Sequence, residues 1–344
     1  MELYFLDENF NNAAIVDSVT EITWDRRFYE PSEFKMTAIY GTFPSAVFKC
    51  SYVYFHDIDE CGRIENLSCD GESVTISGRG LESILEDRVI EGDKFYVGAF
   101  ETALRRAVTE NALGERAIPH LVLGDSSGFD DLYYLTASWD NLSAWLYSTL
   151  RPLERTYKLT LDPSMPQIVF KLYGGRDRTV LNGNLPPVIF SEDFGNIREI
   201  RFSHSDENFK NTAYVRGSDG TVVNVDRSGG GEVREMFVSA GDITPHYCET
   251  RSAYLMALRQ RGEEKLADRE QCRMFSLAGE AEDVIPGDLC EVRIEGREPE
   301  KLRVTGVICT YRNGLRFTSP YFGKEDDPLT VQIRRELAKM ALYR

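Results

Sequence analysis

The sequence predicts an α+β protein, mostly antiparallel β and divided into several domains. Three observations carry that expectation. A chain of 344 residues is two to three times the usual domain length, so it should hold two or three compact units with cores of their own. Short β-branched or aromatic runs bounded by Asn, Asp, Gly and Pro fill both ends of the chain, while a 3.6-residue apolar period takes over in the middle. Hydrophobic residues at 42% and charged residues at 28% sit at ordinary globular values, which excludes a disordered or low-complexity chain.

Taken in order, residues 3–6, 13–19, 21–28 and 34–39 read as strands of an antiparallel barrel or sandwich. A hairpin follows, 51–55 out and 63–69 back, and 73–77 extends the sheet after the Asp70-Gly71 turn. At Gly78-Arg79-Gly80 the period changes, because Leu81, Ile84 and Leu85 share one helical face. A short surface helix is expected over 99–112, with Phe100, Ala103, Leu104, Ala107 and Val108 on its apolar side. Asp140 or Asn141 can cap the next helix, which carries Leu142, Trp145, Leu146 and Leu150 and ends before Pro152. Residues 157–161 and 168–173 then pair around Asp162-Pro163. Strands return at 188–190, 197–203, 212–216, 221–225 and 232–239, with a hairpin turn at Asp219-Gly220 and a flexible tip at Gly229-Gly230-Gly231. One long helix, 249–268, precedes the strands 289–294, 302–310 and 315–318. A final helix is expected over 329–342, and no internal repeat is visible.

Forty Lys and Arg against 56 Asp and Glu leave a net charge of −16. A field of that sign repels polyanions, which argues against a sequence-specific nucleic-acid reader and against stable binding to anionic membranes. No apolar run approaches the roughly 18 residues of a membrane span. The start of the chain, with Glu2, Asp7 and Glu8, lacks the basic opening of a signal peptide, so cytosolic synthesis and retention are expected. The seven cysteines (Cys50, Cys61, Cys69, Cys248, Cys272, Cys290, Cys309) are odd in number and scattered, and read as reduced, buried thiols.

Several motifs invite chemistry. Gly124-Asp125-Ser126-Ser127-Gly128 fits the G-x-S-x-G nucleophile elbow, with His204 or His246 as a base, but an elbow needs a helix after the serine and the following Phe129 to Tyr134 shows no helical face. An ordinary Gly-Asp-Ser turn is the better reading. Gly78-Arg79-Gly80-Leu81-Glu82-Ser83 begins like a dinucleotide fingerprint but puts Ser83 in place of the third glycine and Glu82 near the phosphate. Glu232 after the triple glycine argues against a phosphate cradle. His56, Asp57, Asp59, Cys61 and Cys69 lack a second cluster to close a metal site, and Asp57, Asp59 and Glu60 lack the glycine and distal glutamate of a calcium loop. Asp130-Asp131 and Glu192-Asp193 have the residue type of glycosidase acids but read as surface charge.

Charge is unevenly spread. Between His56 and Asp93 eleven acids face three arginines, a net −8 and half of the total. Such a stretch is either a solvated face or a wall that must not adhere to a polyanion. From Leu329 to Arg344 the balance reverses to +3, with Leu329, Ile333, Leu337 and Met340 along one helical stripe beside Arg334, Arg335 and Lys339. Leu329, Ile333, Arg334, Leu337 and Met340 are the expected partner interface.

The ordered blocks of the chain resemble a family of siphophage and prophage tail-tip (baseplate) hub proteins. Trp24-Asp25-Arg26-Arg27-Phe28-Tyr29-Glu30-Pro31-Ser32-Glu33-Phe34 resembles its W-x-R-R-Y-x-x-x-G-x-F opening, with Ser32 where glycine is usual. Ile76 to Arg79 with Leu81 and Leu85, Asn184 to Asn196, Ser205 to Gly217, Arg234 to Val238, and Leu258 to Gly262 with Glu264 and Leu266 match further blocks in the same order, over about residues 1–320. The family is similar in fold to the structural N-terminal part of tail-associated lysins and to hub proteins of contractile injection machines. The resemblance implies a homotrimer with two barrel-like domains per chain. The division would be 1–95 for the first barrel-like domain, 96–184 for an α/β insertion, 185–325 for a second barrel-like domain with one long helix, and 326–344 for the C-terminal helix. It further implies a structural, non-enzymatic role with no catalytic residue, no cofactor and no metal. No lysin domain is expected after Arg344. The implied partners are the tail tube or distal tail protein ring, the tape measure, and tail fibre or tip proteins. The implied location is the virion tail tip, assembled in the bacterial host cytoplasm. The rival readings are a serine or glycoside hydrolase of the cell wall and a host-surface carbohydrate binder, which an aligned Ser126 and His or an exposed Trp or Tyr platform would favour, respectively.

Overall fold

Alternation decides which side of each N-terminal strand is buried. The computed structural model describes residues 1–322 apart from 163, 198, 207, 249, 270–271, 279–282, 295, 297 and 313, so the helix expected over 329–342 lies outside the described residues. The first strands are Leu3–Leu6 (β1), Asn12–Val16 (β2), Glu21–Arg27 (β3), Glu33–Ile39 (β4), Tyr52–Phe55 (β5), Glu60–Cys69 (β6) and Ser73–Gly80 (β7). In β3 and β4 every second residue is buried, which turns Ile22, Trp24, Phe34, Met36 and Ala38 toward one core. A 3₁₀ segment, Leu81–Asp87, stands where a helical face was expected.

The middle of the chain contains Asp93–Ala99 (β8), the helix Phe100–Val108 (α1), Leu121–Leu123 (β9), Leu132–Ser138 (β10), the helix Leu142–Leu150 (α2), Thr156–Asp162 (β11) and Gln167–Tyr173 (β12). β8 and β10 form an antiparallel pair, and β12 lies between antiparallel β11 and parallel β9. Asn141 caps α2, its side chain accepting from the Ala144 N–H at 3.1 Å. α1 is short, as expected, but less of a surface helix than expected, with six of its nine residues buried.

The remaining elements are Ile189–Ser191 (β13), Glu199–Ser205 (β14), Thr212–Gly217 (β15), Val222–Asp226 (β16), Glu235–Ala240 (β17), the helix Arg251–Ala267 (α3), Cys272–Ala278 (β18), Leu289–Arg293 (β19), Glu300–Arg312 (β20) and Leu315–Phe322 (β21). β15, β16 and β17 make a small sheet whose inner residues, Val215, Val225 and Ala240, pack on Tyr254 and Leu258 of α3. α3 also ties this unit to the middle one, since Gln260 accepts from the Tyr134 N–H at 3.3 Å and Arg261 donates to the Thr136 hydroxyl at 2.9 Å.

One large sheet takes strands from both ends of the sequence, in the order β14-β18-β21-β20-β3-β4-β7-β6-β5-β1-β2. Its join is the antiparallel pair of β3 and β20, where Trp24 faces Cys309 and Asp25 faces Ile308. β20 serves two neighbourhoods: Glu300 to Arg303 pair with β19, and the rest pairs with β21 and β3. A register shift between Val304 and Gly306 marks the change. Only glycine fits at Gly306, because a Cβ would lie 2.1 Å from the Tyr321 ring.

Three apolar cores result. The first packs Phe100, Leu104, Leu146, Tyr157 and Phe170 between α1, α2 and β11–β12. The second fills the large sheet, where Trp24 stacks on Phe34 at 4.7 Å and Phe55 meets Tyr311 edge-on at 5.0 Å. The third lies under α3. The architecture is thus mostly antiparallel β with smaller helical units, as the sequence predicts. Besides β9, three strands are additional. β8, β10 and β18 escape the period-2 reading, and for β10 the reason is visible: Leu135 and Ala137 are buried on one side while Tyr134 packs toward α3 on the other. Among the cysteines, Cys61, Cys248, Cys290 and Cys309 are buried free thiols, but Cys50 is half-buried and Cys69 is exposed, so the expectation of uniformly buried thiols is corrected.

Candidate functional site

The serine motif does not form an elbow. Gly124 to Gly128 leaves β9 and runs through irregular loop into β10, with no helix after Ser126. The loop wraps around Glu101 in the first turn of α1, a side chain only 3% exposed. The Ser127 N–H donates to both Glu101 carboxylate oxygens at 2.9 Å, and the Phe129 N–H donates to one at 3.3 Å. Burial alone would raise the Glu101 carboxyl, but these amides outweigh it and hold the group below its ordinary value. The Ser126 hydroxyl accepts from the Gly128 N–H at 3.2 Å and so closes its own turn. The other candidate acids sit in separate places, Asp131 accepting from Arg155 at 3.2 Å and Asp193 turning after β13 with its N–H on the Ser191 hydroxyl.

The acidic stretch is a lattice of ion pairs. Arg79 grips Glu65 at 2.8 Å and also reaches Glu86, while Arg63 bonds Asp87 and lies 3.8 Å from Glu65. Glu60 accepts from Arg26 at 2.6 Å. Strand pairing causes this: β6 and β7 set Arg63 opposite Arg79, and the 3₁₀ segment after β7 returns Glu86 and Asp87 to the same face. Asp59, Asp70, Glu72 and Glu91 remain exposed.

Behind that face lies a buried polar seam between the large sheet and the middle unit. Arg26 on β3 is buried; burial would lower its pKa, but Glu60 outweighs it and raises it. Glu82 is nearly buried, and desolvation, helped by the Glu60 charge, pushes its carboxyl up to about 7. Lys158 on β11 places its ammonium 4.4 Å from the Tyr173 ring centre, and burial lowers its pKa. A second tie joins the same bodies lower down, where Arg303 of β20 bonds Glu154 at 2.7 Å and the Gly287 carbonyl at 2.7 Å.

The motif residues of the opening block are thereby placed. Trp24 and Phe34 form the core stack, Arg26 enters the seam, and Arg27 bonds Asp25 at 2.9 Å and Glu33 at 2.7 Å. Gly62 and Gly78 leave room for the Phe34 ring, which a Cβ at either would approach within 2.5 or 2.9 Å. The expected interface residues Leu329, Ile333, Arg334, Leu337 and Met340 lie outside the described residues. Among the described residues no group of three or more His, Cys, Asp and Glu is placed to hold a metal ion, and no helix is long and apolar enough to cross a membrane.

An aromatic groove between the β1–β5 face and the end of the β11–β12 hairpin carries no sequence motif of its own. Its signal was present, since Leu3-Tyr4-Phe5-Leu6 and Tyr52-Val53-Tyr54-Phe55 are apolar on both faces and therefore need cover, or a ligand, on each.

This combination of a long split sheet and smaller α/β units is the fold of prophage tail proteins. The prophage tail protein gp18 from Listeria monocytogenes superposes with a TM-score of 0.60 over 98% of this chain and 99% of its own, at 14% identity. The 43 kDa tail protein of prophage MuSo2 from Shewanella oneidensis gives 0.58 over 94% and 98%, at 15% identity, and the tail protein from Neisseria meningitidis gives 0.58 over 94% and 96%, at 13%. The chain belongs to the family of Siphovirus ReqiPepy6 Gp37-like proteins, whose family model matches residues 1–324. No curated protein matches it. Family and fold both agree with the resemblance carried by the Trp24 to Phe34 block.

Proposed function

We propose that this chain is a structural hub of a phage tail tip. Three copies would form a ring that meets the end of the tail tube or its distal tail protein ring and encloses a channel for the tape measure and DNA. The observation that carries the reading is the full-length match to prophage tail proteins, with nearly all of this chain and of each counterpart superposed. Two features support it. The described part of the large sheet ends at β2 and β14, and open strand edges are suited to pairing with a neighbour in a closed ring. The exposed acids Asp59, Asp70, Glu72 and Glu91 supply like charge for a lumen that DNA passes without adhering.

On this reading the protein is not an enzyme, and the Ser126 loop is a turn built around Glu101. The basic segment 329–342 docks on a neighbouring subunit or partner through Leu329, Ile333, Leu337 and Met340, with Arg334 meeting acidic surface. The molecule resides in the virion after assembly in the host cytoplasm. The test is a reconstruction of assembled tail tips together with native mass of the free protein. Three copies in the ring are expected; two, four or six would overturn the proposal.

A further inference from the structure

The groove beside β1 and β5 has the chemistry of a sugar site. In the pairing of these strands Tyr4 stands opposite Tyr54 and Leu6 opposite Tyr52, and all four side chains turn away from the large-sheet core. Across from them the end of the β11–β12 hairpin contributes Leu161, Asp162 and Pro166, which leaves a groove of about 580 Å³. That volume falls in the range of roughly 300–1,000 Å³ usual for small-molecule sites. Tyr4 and Tyr54 have ring centres 6.2 Å apart, His56 lies 6.3 Å from each, and Phe10 stacks on Tyr52 at 4.5 Å.

The rings are held in place. The Tyr4 hydroxyl donates to Glu2 at 2.7 Å and the Tyr54 hydroxyl to Asp59 at 2.8 Å, so neither phenol is free to turn. The backbone is strained at the same spot: Phe10, Asp59 and His120 adopt φ of 60°, 51° and 65°, three of the five non-glycine residues in the left-handed region among the described residues. Phe10 and His120 touch edge-on at 5.5 Å. Asn12 and His56, by contrast, make no side-chain hydrogen bond to any described residue, His56 making ring contacts only with Tyr4 and Tyr54. Fixed aromatic faces with unengaged amide and imidazole groups beside them match a ring that is apolar on its faces and hydroxylated at its edge.

Charge narrows the class. Among the described residues the lining contains no Lys or Arg, while Asp162 lines the groove and Glu2 and Asp59 hold its phenols. An anionic ligand would be repelled. We propose that this groove binds a neutral oligosaccharide, its C–H faces stacked on Tyr4 and Tyr54 and its hydroxyls bonded to Asn12 and His56. The binding is a property of the single chain and stands or falls apart from the hub reading.

The test is calorimetric titration of the full chain with chitotetraose, maltotetraose and cellotetraose, and with tetragalacturonate as the anionic counterpart. Binding of at least one neutral tetrasaccharide is expected, weakened by about tenfold in His56→Ala and in Tyr4→Ala. His56 is exposed, so its variant keeps the test open even if Tyr4→Ala folds poorly. The proposal is overturned by no heat from any neutral sugar up to about 1 mM, by tetragalacturonate binding as well as the neutral sugars, or by unchanged affinity in a His56→Ala protein with the parent's melting temperature. A neighbouring protein segment filling the groove in an assembled tip would also overturn it.

Discussion

The unit around α1 and α2 and the large sheet bury the same kinds of side chain but recruit them differently. Apart from Leu6 and Cys61, the buried members of the first core come from a single stretch between Leu81 and Leu172, with Tyr4, Phe10, Tyr52 and Tyr54 packed against its edge. The second combines Leu3 to Ile76 with Phe190 to Phe322. At its join the hydroxyls of Thr23 and Thr310 come within 3.5 Å across 287 residues of chain. Short-range contacts close small loops, whereas the β3–β20 pair must close almost the whole polypeptide before it gains anything. The comparison teaches that the large sheet is the element through which both halves of the sequence depend on one another, whereas the middle unit draws most of its buried side chains from one continuous stretch.

The sharpest way to break that contrast is Trp24→Ala. It removes a fully buried indole from the Phe34 stack at the join and should destabilise the protein by about 4 kcal/mol. Hydrogen exchange should then show β1–β7 and β19–β21 losing protection together while α1 and α2 retain theirs. Equal loss in α1 and α2 would mean that the middle unit is not self-contained.

A smaller effect is expected where the two bodies share a buried charge. The folded Glu82 carboxyl keeps its proton up to about pH 7, while an unfolded chain releases it near the ordinary value of 4.5, so the folded state holds the extra proton between these limits. Stability should therefore fall as pH rises through that window and level off above it. Glu82→Gln should make the protein more stable than the parent by about 3 kcal/mol at alkaline pH, with the gain vanishing in mild acid. Urea titrations at both ends of the window check this, and a gain independent of pH would assign the effect to shape rather than charge.

The smallest effect belongs to the solvent-facing tie between the same bodies. Glu154 is 66% exposed, and Glu154→Gln should cost about 0.5 kcal/mol or less despite the 2.7 Å contact with Arg303. A measured loss several times larger would show that this exposed pair, rather than the buried seam, holds the units together.

How far the sequence could be read follows the same divide. The strands at both ends, the Asn141 cap and the Asp219-Gly220 turn were legible because each is a local signal. That β3 pairs with β20 was not, since alternation tells which face of a strand is buried and is silent about its neighbour. The acidic stretch could be counted, but its pairing of Arg63 and Arg79 with Glu65, Glu86 and Asp87 arises only once β6 and β7 align. The groove was half legible: Tyr4 and Tyr54 announce a second apolar face, while the Asp162 and Pro166 wall opposite them lies more than a hundred residues away in sequence.

The place of β20 in the sheet also acts as a clock during synthesis. At about 5–20 residues per second, the residues that pair with Thr23 leave the ribosome roughly 15 to 60 s after Thr23 itself. Throughout that interval β3 shows a bare edge beside the buried face of Trp24, an invitation to other strands. Polypeptides released before β20 emerges keep that edge, so the arrival of β20 is what withdraws β3 from unwanted pairing.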